Sequence, residues 1–124
     1  MSLSIHDNFV TSYEVRCSER EIVIRTEYRD AGEPSESTDA VFRGVQGYLF
    51  RDGLSGILFG IEEVSVARIH ETFAKEIAAG RTRGWPWSQD LADSAESLSG
   101  FLIQGQTAFD GFVVAQSMAL EARA

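Results

Sequence analysis

Apolar and polar residues alternate from Phe9 to Ser18, with Phe9, Thr11, Tyr13, Val15 and Cys17 set against Val10, Ser12, Glu14, Arg16 and Ser18. Successive side chains of a strand point to opposite sides, so this period of two predicts a half-buried strand with one largely apolar face. Glu19-Arg20 interrupts the pattern; Ile22, Ile24, Thr26 and Tyr28 then share a face against Glu21, Arg25 and Glu27, which predicts the second arm of a hairpin. Between Arg29 and Asp39 the chain turns to Gly, Pro, Ser, Thr and acids, the composition of an exposed loop. A strand resumes near Ala40. Its apolar phase slips between Phe42 and Val45, which predicts a β-bulge at Gly44 before alternation returns at Tyr48 and Phe50. Asp52-Gly53 is a strong turn dipeptide, and the apolar run Ile57-Leu58-Phe59-Gly60-Ile61 reads as the other arm of a hairpin, suited to the middle of a sheet.

The period then changes. Val66, Ile69, Phe73 and Ile77 recur at helical spacing, with Ser65 placed to cap the first turn and Gly80 placed to stop the helix. Residues 81–87 form a linker too rich in Gly and Pro to continue it, and Ser88 to Leu98 admit a short second helix or turns. Strand pattern returns with Phe101 and Ile103 before Gly105. After Asp110-Gly111, Phe112, Val114, Gln116, Met118 and Leu120 share a face and complete a third hairpin. The sum is an α+β fold of about six mainly antiparallel strands, in one curled sheet or two, with one main helix at about residues 65–79 and a single domain spanning 1–124.

Composition sharpens this only a little. The 124 residues are 44% hydrophobic and 24% charged, a globular balance at a common single-domain length. The one cysteine, Cys17, cannot form an intrachain disulfide and is expected as a buried structural thiol. Without a secretory pattern or an apolar run of membrane-spanning length, the expected location is cytoplasmic, with no membrane partner. Nineteen acidic against eleven basic residues give a net charge of −8, which repels a phosphate backbone and attracts a basic protein. Nucleic acid is therefore not an expected ligand.

Candidate chemistry is sparse. His6-Asp7 precedes the first strand and offers an acid–base or ligating pair, against the simpler role of Asp7 in a turn. Glu62-Glu63 follows the run Ile57–Ile61, so that one of the two is expected to face inward as an acid or base; the alternative places both at the start of the helix, where its dipole favours anions. His70 has no second histidine at the four-residue spacing of a zinc helix, and two histidines with one cysteine do not assemble a soft-ligand site. No metal or cofactor is expected. Phosphate loops, nucleophile elbows and paired cysteines are missing from the sequence, so no catalytic residue is assigned. Trp85-Pro86-Trp87, flanked by Arg81 and Arg83, has the composition of an interface hot spot and is the leading candidate for partner or ligand contact.

His6-Asp7 before a hairpin, Phe42-Arg43-Gly44-Val45 and the strand Ile57-Leu58-Phe59 together resemble small uncharacterised bacterial proteins, some of them immunity proteins of toxin systems. The likeness runs through the N-terminal half and lies in fold-determining positions, so it carries over no functional residue. It implies a non-enzymatic, immunity-like protein that binds another protein. Two other readings compete: a small-molecule or carbohydrate-binding module, or cryptic enzyme, using the concave sheet face, and a structural homodimer joined through a sheet edge.

Overall fold

The computed structural model describes residues 8–28, 36–51, 57–83, 97–105 and 109–122. It is an α+β fold with eight strands in two antiparallel sheets: β1 (Phe9–Arg16), β2 (Glu21–Tyr28), β3 (Glu36–Arg43), β4 (Gly47–Arg51), β5 (Leu58–Val64), β6 (Ser99–Gly105), β7 (Asp110–Ala115) and β8 (Ser117–Ala122). The first sheet has the order β1-β2-β3-β8 and the second β4-β7-β6-β5. Helices α1 (Val66–Thr72) and α2 (Ala74–Thr82) connect β5 towards β6. The turn at Asp52-Gly53 and residues 84–96, where a short second helix or turns were admitted, lie outside the described residues.

The difference from about six strands comes from two long strands that each change sheet. One runs through β3, Gly44 and β4; the other through β7, Gln116 and β8. They lie side by side, β3 against β8 and β4 against β7. At the bend the Gln116 N–H is shared between the Arg43 and Gly44 carbonyls at 3.0 and 3.3 Å, and the Gln46 N–H donates to the Val114 carbonyl at 2.8 Å. Gly44 holds φ 68°, and the Gln116 side chain lies across it, so that a Cβ would come within 2.6 Å of Gln116 Cγ. The slip at Gly44 is thus a corner between sheets rather than a bulge within one. Gln116 shifts the phase by one residue: Phe112 and Val114 face one core, whereas Met118 and Leu120 face the other.

Between the sheets, Ile22, Ile24, Ala40 and Phe42 of the first pack on Phe101, Ile103, Val113 and Ala115 of the second. The opposite face of the second sheet is covered by the helices, with Val66, Ile69, Phe73 and Ile77 on Leu102, Phe112 and Val114. Burial on both faces explains why β6 and β7 read as continuous apolar runs rather than alternations. Phe112 and Phe73 meet with ring centroids 4.8 Å apart. Where this core ends, Asn8, Thr26 and Thr38 are buried together: Asn8 Nδ2 donates to Thr26 Oγ1 at 2.9 Å, and that hydroxyl donates to the Thr38 carbonyl at 2.6 Å.

Several expectations need correction. β4 and β5 do not form a hairpin; they are opposite edges of the second sheet, because β7 and β6 pair between them. The run Ile57–Ile61 is therefore part of an edge, and β5 extends to Val64 through two exposed glutamates. β3 begins at Glu36, inside the stretch expected as a loop, because pairing with β2 continues to Tyr28. β1 carries an irregularity between Val10 and Ser12, so Val10 rather than Phe9 or Thr11 joins the core with Val15. The helix begins as expected, with Ser65 Oγ accepting from the Arg68 N–H at 3.1 Å. It breaks at Phe73, however, and α2 runs past the buried Gly80 to Thr82. Cys17 is exposed, since β1 ends at Arg16 and the thiol opens the turn that follows.

Candidate functional site

The sheet-switching corner leaves an opening. Once β3 bends into β4 it no longer runs beside β2; the last tie is the Val45 N–H donating to the Arg20 carbonyl at 2.9 Å. From there, among the described residues, β4 is paired on one side only, with β7. The space between β4 and the β1–β2 hairpin is a groove of about 660 Å³. Val15, Ile22 and Val45 belong to both its lining and the core.

Aromatic rings form one wall. Tyr13 meets Phe50 edge-on at 5.0 Å and Phe109 at 5.4 Å, and Tyr48 meets Phe50 at a tilt at 5.3 Å. Tyr13 and Tyr48 are nevertheless 37% and 41% exposed. Tyr13 rests on the buried Phe109 and Tyr48 on Phe50, and both line the groove, the usual division of a tyrosine between an apolar body and a polar tip.

Charges form the rim. Arg16 bonds Glu21 at 2.7 Å and Glu14 at 3.3 Å, and Arg25 reaches Glu14 at 3.2 Å. Hydrogen bonds from Arg16 and then Arg25 hold the Glu14 carboxyl below its ordinary range, and the bond to Glu14 raises the Arg16 guanidinium above its own. Arg43 extends the lattice to Glu21 at 3.6 Å and Glu121 at 3.0 Å. Arg20 differs: its guanidinium makes no ion pair among the described residues. It closes the turn that starts at Cys17, with its N–H donating to the Cys17 carbonyl at 3.3 Å and φ at 54°. A side chain rarely adopts that left-handed conformation, which the two backbone hydrogen bonds of Arg20 enforce here.

Of the residues singled out from the sequence, Glu62, Glu63, Arg81 and Arg83 do not line the groove. Trp85, Trp87, His6 and Asp7 lie outside the described residues. Arg81 stands in the last turn of α2 and Arg83 at its C-cap, rather than in a linker with the tryptophans. Glu62 and Glu63 are both exposed and, as neighbours in β5, project to opposite faces. Gln104 Nε2 donates to Glu62 at 3.2 Å and Ser99 Oγ to Glu63 at 2.9 Å, so neither is an inward-facing acid. Among the described residues no three His, Cys, Asp or Glu side chains gather as a metal site, and no helix is long and apolar enough to cross a membrane. Tyr13, Arg20 and Tyr48 escaped the sequence reading, because each tyrosine reads as an ordinary strand residue and Arg20 as turn filler. The one available signal was tyrosine at inner-face positions that Ile, Val and Phe occupy elsewhere.

Comparison of the chain with known protein families, characterised proteins and solved structures gives no match.

Proposed function

We propose that the chain is a non-enzymatic binding protein that holds a partner protein in the groove between the β1–β2 hairpin and β4. The observation that carries this reading is the groove itself, an open concavity of about 660 Å³ where Tyr13, Tyr48 and Phe50 stand beside Arg16 and Arg20. Tyrosine and arginine are the side chains that most often dominate binding energy at protein interfaces, where rigid rings supply area and guanidinium groups supply direction. A protein partner is also what the likeness to immunity proteins implies, and the net charge of −8 would speed encounter with a basic one. A single cysteine, exposed at the turn, suits a reducing cytoplasm.

One observation favours a second reading. The groove volume falls within the range of small-molecule sites, and exposed tyrosine faces suit a sugar or another flat ligand. Affinity capture separates the two. The immobilised wild-type chain and a folded Tyr48→Ala/Arg20→Ala double variant are exposed to the same bacterial lysate at low and moderate salt. Proteins retained by the wild type and lost by the variant support the partner reading. Identical protein profiles with a small ligand released only from the wild type would move the assignment to the second reading; identical profiles with no such ligand would remove the groove from consideration.

A further inference from the structure

We infer that the groove takes an extended segment of the partner, added as a new strand beside β4 and bearing a carboxylate that Arg20 receives. The inference rests on the binding reading above and specifies the occupant of the same site.

The backbone of β4 supplies the first reason. Among the described residues Gly47–Arg51 is bonded to β7 alone, so its other edge presents main-chain donors and acceptors to the groove. Such an edge is a template for one more strand. The strand holds no proline or lysine, residues that commonly guard an exposed edge, and is apolar until Arg51. Arg51 is itself held, bidentate on Asp110 at 2.8 and 2.9 Å and 3.7 Å from Glu76. The opposite seam is treated differently, since a bridge between Phe9 and Ile57 ties β1 to the start of β5.

The space beside the edge supplies the second. A strand laid along β4 points alternate side chains to one face, towards Tyr13, Val15 and Val45, and the others outward. The five residues of β4 span roughly 17 Å, so a matching segment has about five residues with apolar groups at every second position.

Charge selects the occupant. Arg16 is occupied by Glu14 and Glu21, whereas Arg20 is held in a left-handed conformation with its guanidinium outside every ion pair among the described residues. A second copy of the chain brings the same net charge of −8 to the contact, which opposes pairing of one β4 with another. A foreign segment with an acidic residue near one end satisfies both the edge and the arginine.

The test uses linear heptapeptides displayed on phage and selected on the full chain, followed by titration of synthetic winners. The expected winners carry Asp or Glu at one end and apolar residues at alternate positions, and Arg20→Ala weakens them about tenfold or more, as loss of a charge-assisted hydrogen bond does. Methylating peptide nitrogens one at a time should abolish binding at every second residue and spare those between, because only alternate N–H groups face β4. No enrichment, winners indifferent to Arg20→Ala, or a methylation scan without alternation would each overturn strand addition. So would a dimer in sedimentation equilibrium that Tyr48→Ala dissolves, since the edge would then belong to a second copy. If lysate capture yields a partner dependent on Tyr48 and Arg20 while the peptides fail, the binding reading stands and strand addition falls.

Discussion

Arg20 permits a measurement that separates backbone strain from side-chain function. Its φ of 54° is fixed by hydrogen bonds at both ends, from its own N–H to Cys17 and to its carbonyl from Val45. For a residue with a Cβ this conformation costs about 1–2 kcal/mol, and glycine escapes the cost. Glycine also gives the unfolded chain more freedom, which offsets about 0.4–1 kcal/mol of the gain. The net expectation is that Arg20→Gly is more stable than Arg20→Ala by roughly 0.5–1 kcal/mol, or about 2–5 °C in Tm for a domain of this size. Both variants lack the guanidinium, so both should lose groove affinity equally. Urea unfolding followed by circular dichroism measures the first difference, and titration with a selected peptide measures the second. A glycine variant no more stable than the alanine variant would refute the strain; a glycine variant that retained binding would refute the role given to the side chain.

Two further outcomes follow from the packing and the charges. At Gly100 a Cβ would stand 2.5 Å from Ile69 Cγ1 and 3.1 Å from the Ser65 carbonyl, so Gly100→Ala should destabilise by about 1–3 kcal/mol in urea titration, whereas Gly60→Ala, with nothing within 4 Å, should change little. Burial and then repulsion by Arg81 lower the pKa of His70 from 6.5, so the unfolded chain binds this proton more readily. Stability should therefore fall as pH drops below about 6.5 towards the folded value, be complete above it, and lose that part of its pH dependence in His70→Gln.

Much of the fold was legible because period and punctuation are local. The face carried by Ile22, Ile24 and Thr26, the cap at Ser65 and the arm Phe101–Ile103 were all readable in this way. Partner choice is not local. Nothing in Gly47–Arg51 states that it pairs with Asp110–Ala115 instead of the run after Asp52-Gly53, and alternation around Gln116 does not disclose that the chain moves to the other core. The site was hidden for the same reason. Its walls come from Tyr13, the turn at Arg20 and Tyr48, which no sequence window brings together. Their place directly after an apolar run drew attention to Glu62 and Glu63 instead, and the strand pleat turns those two apart.

The corner and the groove have one cause. In a flat sheet β4 would extend β3 and stay beside the β1–β2 hairpin, with its edge satisfied. Gly44 turns it away after the Val45–Arg20 bond, and Gln116 lets β7 and β8 follow the same bend, which among the described residues keeps β4 paired on that side alone. The switch lets the chain fold its two long strands over one core, with Phe42 and Phe101 meeting at 5.5 Å. The same turn uncovers one strand edge for the length of β4. Filling that edge from within would require another strand between the hairpin and β4, and among the described residues none lies there. A strand contributed from outside would complete the second sheet on the side that the corner leaves open.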